Sequence, residues 1–143
     1  MICIAFFKGH SPYLSDRLIR WITKSAYSHC EIAIAQGNGN YRCLSSHARD
    51  GGVREKFLHL APERWDIVPA PIGEKEALSF FEQEKGSGYD YAGVLRFVFP
   101  FLRASKTRWF CSEFVAAALG METPERQSPQ DVFAWLQSSK SAR

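Results

Sequence analysis

The sequence predicts an α+β fold, an antiparallel sheet packed against helices, and three observations carry that prediction. Short apolar runs separated by turn residues fill the first half of the chain, helical periodicity fills the second, and the two kinds of segment are segregated. A doubly wound parallel sheet would alternate them instead. At 143 residues, with 45% hydrophobic, 14% aromatic and 23% charged side chains and no internal repeat, the chain suits one domain over residues 1–143. Its formal charge of +3 comes from 18 basic and 15 acidic residues, largely interleaved, which gives no argument for a nucleic-acid partner.

The elements follow in order. Ile2 to Phe7 is a continuous apolar run closed by Lys8 and Gly9, hence a buried strand, with Ser11-Pro12 as the turn after it. A helix follows, capped by Ser15 with Asp16 in its first turn; Leu14, Leu18, Trp21 and Ile22 recur on its packing face until Lys24. From Ser28 to Ala35, Cys30, Ile32 and Ile34 share one side of a strand while His29, Glu31 and Ala33 take the other. Gly37-Asn38-Gly39-Asn40 turns the chain into a returning strand, Tyr41 to His47. Asp50-Gly51-Gly52 turns it again into Val53 to Leu58, and Trp65 to Val68 is a further short strand between prolines.

Glu74 and Glu76 open a helix that Lys85 and Gly86 close. Tyr91 to Val98 is a short helix stopped by Pro100. Cys111, Phe114, Val115, Ala118 and Leu119 form the stripe of a third helix ending at Gly120. Ser128-Pro129-Gln130-Asp131 signs the last: an N-cap, proline at the first position and an acid to complete the capping box.

No apolar run approaches the ~20 residues of a membrane span. The N-terminus has neither the basic flank nor the cleavage site of a signal peptide, so a cytoplasmic location is expected; a phage-encoded protein or a specialised export route would leave no such trace. Cys3, Cys30, Cys43 and Cys111 form no CxxC pair, which suits free thiols in a reducing compartment.

Cys111 is the residue most suited to chemistry. At the first turn of a helix, unpaired N–H groups and the positive dipole end favour thiolate over thiol. His29 is a candidate base, and a cysteine–histidine pair needs a third polar group to hold the imidazole tautomer. Ser45 and His47, on a common face of the next strand, are candidates for it.

The segment Tyr27-Ser28-His29-Cys30-Glu31-Ile32 resembles the SHxxI strand, and Trp109-Phe110-Cys111-Ser112-Glu113-Phe114-Val115 the FCSE(L/F)V helix start, of the circularly permuted NlpC-like papain-fold cysteine amidases, YiiX/YaeF-like branch. In that branch the histidine strand precedes the cysteine helix, as here. Gly88-Tyr89-Asp90-Tyr91-Ala92-Gly93 is similar to the family's glycine-tyrosine segment, Gly51-Gly52-Val53-Arg54 to its post-hairpin turn, and Ser128-Pro129-x-Asp131 to its closing helix. The resemblance implies a papain-like fold with Cys111 as nucleophile, His29 as general base and Tyr89 as a group polarising the substrate carbonyl. It puts Ser45 in the third position, with His47 two residues on; a serine there departs from the acid or amide that members often carry. The implied activity is that of a cysteine hydrolase, an amidase or peptidase on cell-wall-type peptides, working through a thioacyl enzyme without a cofactor.

Other readings stand beside this one. Cys43 and His47 have a C-x3-H spacing that could belong to a zinc site with His29 and Cys30, although consecutive strand residues point to opposite faces. Phe97 to Trp109 mixes aromatic with basic residues and no acid, a composition that suits peripheral contact with an anionic membrane; a lipid-ester substrate for a thiol esterase or acyltransferase would follow. A third reading is a binding module that keeps the cleft without turnover. His10 could line the cleft mouth, His59 belongs on the surface, and Trp21, Trp65 and Trp135 suit packing roles.

Overall fold

The apolar run at the N-terminus forms β1 (Ile2–Phe7), which lies inside the sheet between β2 (His29–Gly37) and β5 (Trp65–Pro69), antiparallel to both. In this computed structural model the described residues are 1–8, 14–103, 105 and 107–141. A strand covered on both faces has no polar side to show, so β1 reads as unbroken apolar sequence. The same cause explains the partial alternation of β2, whose first six residues are all buried.

Two hairpins extend the sheet through β3 (Asn40–His47) and β4 (Gly52–His59). Asn38 and Gly39 turn the first with φ of 54° and 74°, the left-handed pair a two-residue hairpin needs. A short 3-10 turn, Ala48–Asp50, leads into the second. Beyond β4 lie two strands of two residues each, β6 (Gly88–Tyr89) and β7 (Arg108–Trp109), completing the order β5-β1-β2-β3-β4-β6-β7. Gly52 lets β6 approach: a Cβ there would meet the Ser87 carbonyl oxygen at 2.0 Å. β7 runs parallel to β6, so the sheet is mixed rather than antiparallel throughout. Strands this short carry no periodicity, and only tertiary pairing defines them.

Among the described residues there are five α-helices: α1 (Leu14–Thr23), α2 (Glu74–Glu84), α3 (Tyr91–Leu95), α4 (Cys111–Ala118) and α5 (Pro129–Ser141). The fold is α+β. The main core joins Ile4, Phe6, Cys30, Ile32 and Leu44 of the sheet to Phe81 of α2, Phe114 and Val115 of α4, and Val132 of α5. The N-terminus of α5 is held as expected: Ser128 Oγ donates to Asp131 Oδ2 at 2.7 Å and accepts from Asp131 N–H at 3.2 Å. A separate cluster of Tyr89, Val94 and Phe110, joined by Ile19 and Phe97, seats α1 against α3.

The face expected to pack α1 is largely uncovered. Ile22 is buried, but Leu14, Leu18 and Trp21 are 76%, 49% and 75% exposed. The inward stripe runs through Ile19 and Ile22; residues about 100° further around the helix meet no described element. Trp21 is therefore largely exposed among the described residues instead of packing as expected. The Ser11-Pro12 turn, His10, the Ser15 and Asp16 side chains and Lys106 lie outside the described residues.

Candidate active site

Cys111 opens α4, as the sequence indicates. Phe110 before it is extended, at φ −101° and ψ 167°, and the Glu113 side chain accepts the Phe110 N–H at 3.4 Å. Two neighbours fix where this helix begins. Trp109 pairs with Tyr89 in the β6/β7 ladder, and Ser46 Oγ donates to the Trp109 carbonyl at 2.6 Å. The chain thus leaves the sheet edge and delivers Cys111 beside the start of β2, where His29 stands.

Glu31, two residues along β2 and on the same face, is the partner of His29. Its Oε1 lies 2.9 Å from His29 Nε2. Arg54 grips the same carboxylate with both ends of its fork, Nη1 to Oε2 at 2.8 Å and Nη2 to Oε1 at 2.7 Å. Arg54 is held in turn by Asp50, through Nε at 3.0 Å, and Lys56 Nζ adds a contact to Asp50 at 2.7 Å.

The sheet register explains this chain of contacts. Ile32 pairs with Leu44, which by continuation sets Glu31 opposite Ser45 and His29 opposite His47; Ser45 pairs onward with Arg54. Ser45 therefore sits in the row between Glu31 and Arg54, and its small side chain leaves room for the guanidinium to reach across it. Its hydroxyl donates to the Cys30 carbonyl at 2.7 Å. The group expected to orient the imidazole is thus engaged with the backbone, and Glu31 holds His29 instead.

His47 lies against His29 edge-on, ring centroids 4.7 Å apart. Its Nδ1 accepts the Arg49 N–H at 3.1 Å, which starts the 3-10 turn. Burial first, then the charges of His29, Arg49 and Arg54, hold its pKa down at about 3. His47 is accordingly a neutral wall beside a charged His29.

Burial would lower the His29 pKa, but the charge and hydrogen bond of Cys111, followed by those of Glu31, raise it to about 9. With Nε2 committed to Glu31, Nδ1 is the nitrogen left to serve Cys111. Burial likewise opposes ionisation of Glu31, yet the Arg54 hydrogen bonds, with those of His29 behind them, keep it at about 2. For Cys111 the hydrogen bond from the Cys30 thiol is the largest influence; it and His29 outweigh burial and bring the pKa well below the ordinary thiol value. Cys30 moves the opposite way, pushed well up by burial and by donating to Cys111. The arrangement is a buried thiolate–imidazolium pair, with a thiol donor on one side and a clamped carboxylate on the other.

A cavity of about 20 Å³ beside Cys111 is lined by Ile19, Ser28, His29, His47 and Tyr89 among others, room for about one water. The buried Ser28 hydroxyl, on this wall, has no hydrogen-bond partner. An open cleft of about 380 Å³ shares His29, His47 and Arg49 with it and extends over Lys56, Leu58, Phe7 and Trp65.

The structure therefore brings Cys111, His29, His47 and Tyr89 together and sets Ser45 behind them. Sequence reasoning missed Glu31, Arg54, Cys30 and Ser28 as parts of the site. The spacing of His29 and Glu31 on one strand face was the available signal. Cys43 is buried in a cluster with Ala5, Ala33 and Leu60, and among the described residues no group of three or more His, Cys, Asp or Glu side chains is placed to hold a metal ion. No protein-family model matches this chain, and no curated protein matches it at a significant level of similarity.

Proposed function

We propose that this protein is a cysteine-dependent hydrolase of amide or ester bonds, with a permuted papain-like arrangement in which the histidine strand precedes the cysteine helix. The observation that carries the proposal is the relay from Cys111 to His29 to Glu31 to Arg54, in which the last three line an open cleft and Cys111 lines the small cavity that shares His29 with it. A buried thiolate that is a simple packing residue needs no such chain of partners.

In the proposed reaction the Cys111 thiolate attacks the substrate carbonyl carbon and forms a C–S bond. The carbonyl π electrons move to oxygen, where the N–H groups at the start of α4, which have no carbonyl partner within the helix, and the Ser28 hydroxyl can donate. His29 gives its proton to the departing amine or alcohol as the tetrahedral species collapses. Neutral His29 then takes a proton from water, whose oxygen displaces Cys111 from the thioacyl carbon and releases the acid. Glu31 stays ionised throughout and fixes the imidazole so that Nδ1 faces sulfur. Peptide amides of the cell-wall type are the substrates proposed first.

The test is the pH dependence of Cys111 alkylation, read by mass spectrometry, in the native protein and in His29→Ala, together with turnover of a panel of activated peptide amides and esters. An apparent thiol pKa far below those of Cys3, Cys30 and Cys43, rising when His29 is removed, and burst release of the leaving group support the proposal. A Cys111 that titrates as an ordinary thiol in both proteins overturns it.

A further inference from the structure

Ten large apolar side chains stand exposed among the described residues, and eight of them lie in just two stretches, 14–21 and 91–101. Phe101, Leu14 and Trp21 are the most exposed of the eight at 78%, 76% and 75%, and Leu18, Leu95 and Phe99 are exposed by 41% to 49%. The stretches adjoin, because Ile19 of α1 packs with Val94 and Phe97 in one cluster. Ile19, on the inward side of the same helix, also lines the Cys111 cavity, so α1 stands between the apolar face and the candidate site.

Its charge is one-sided. Three basic residues and no acid lie between Asp16 and Glu31, and four basic residues and no acid between Asp90 and Glu113. A cavity of about 280 Å³ on this side is lined by Arg96, Phe97, Pro100, Glu125 and Arg126, so two guanidinium groups meet one carboxylate. Arg96 Nε and Nη1 are buried without a hydrogen-bond partner. Although its charge is felt by Glu113, this half-buried guanidinium has two nitrogens that lack a hydrogen-bond acceptor, and an anion would supply one.

We propose that the face formed by α1 and the α3 segment docks on an anionic phospholipid surface, with the aromatic side chains at the acyl boundary and a headgroup phosphate beside Arg96. Aromatic and aliphatic side chains ringed by cations are what an interfacial element needs, since apolar burial and attraction to anionic headgroups add. A protein partner would need apolar complementarity but has no use for the excess of cations. Docked this way, α1 lies between the membrane surface and the Cys111 cavity; that the bond cleaved would then belong to an amphiphile rests on the hydrolase reading.

Flotation with vesicles of phosphatidylcholine and phosphatidylglycerol, against phosphatidylcholine alone, tests the docking in the full chain. Binding is expected to the anionic vesicles and to fall about tenfold or more in 0.5 M salt. Trp21→Ser and Phe101→Ser, both at exposed positions, should each weaken it about tenfold, and Arg96→Gln should reduce the preference for anionic over neutral vesicles. Cys111 alkylation in the same variants should be unchanged, which shows intact folding and separates this proposal from the hydrolase reading. Failure to bind at low salt, equal binding to neutral vesicles, or indifference to Trp21→Ser and Phe101→Ser would each overturn it. So would inorganic phosphate binding without vesicle binding, or a dimer in sedimentation that both serine variants abolish, since a second copy would then cover the face.

Discussion

Glu31→Gln is the most incisive substitution because it keeps the shape of the relay and removes only its charge. The wild-type carboxyl is held at about 2 against an ordinary 4.5, because the hydrogen bonds and charges of Arg54 and His29 together outweigh the effect of burial. An opposite charge in hydrogen-bond contact is worth about one to three pH units, and one unit is tenfold in a protonation equilibrium. By reciprocity the imidazolium loses about the same when Glu31 becomes neutral. His29 should then lose its proton about one unit or more below its wild-type value of about 9, so the alkaline limb of the alkylation profile should move to lower pH by that amount, while the acid limb, along which His29 stays protonated, does not rise. Thermal stability should fall as well, because Arg54, with its side chain only 13% exposed, keeps Asp50 alone as an acidic partner. The assay is iodoacetamide modification of Cys111 across pH 4 to 9, followed by mass spectrometry. An alkylation profile that overlays the wild type would refute the reasoning, since His29 would then draw nothing from the carboxylate.

Three other outcomes are expected. Cys30→Ala removes the thiol that donates to Cys111, so Cys111 alkylation should shift to higher pH, and the methyl-sized void should cost about 1 kcal/mol in denaturant unfolding. Ser28→Ala should leave that alkylation profile in place and lower kcat about tenfold or more on any substrate turned over, with KM little changed, as loss of a donor to the developing oxyanion does. Melting temperature should fall as pH drops from about 4.5 to 2: Glu31, like Asp50 and Asp66, has a folded pKa below its unfolded value, so its stabilisation is present above the latter and lost through the former. Between 6.5 and 9, by contrast, the unfolded chain carries one proton on the Cys111 thiol and the folded chain one on His29. That pair should therefore add no slope to a calorimetric pH series in this range.

The relay also shows why a third group is hard to assign from sequence. Searching the strand after the histidine finds Ser45, which does lie on the correct face. What distinguishes Glu31 is that Arg54, two strands away, neutralises it across Ser45, so that a carboxylate can remain ionised at 1% exposure. Without that clamp a buried glutamate would carry its proton. Glu113 does so in this fold, where burial and the nearby Asp90 and Glu125 raise it to about 8.

Local chemistry in the sequence determined most of the elements. The apolar run of β1, the Asn38-Gly39 turn, the Ser128-Pro129-Asp131 cap and the position of Cys111 at a helix start each depend on residues within a few positions of one another, so they are legible without knowing what lies opposite. Tertiary structure alone decided the rest. The two-residue strands β6 and β7, the donation from Cys30 to Cys111 and the reach of Arg54 over Ser45 join residues far apart in sequence, through register and close approach that no periodicity encodes. The apolar stripe of α1 makes the same point in reverse. Its periodicity is that of a buried helix, and only the arrangement of its neighbours leaves Leu14, Leu18 and Trp21 facing outward.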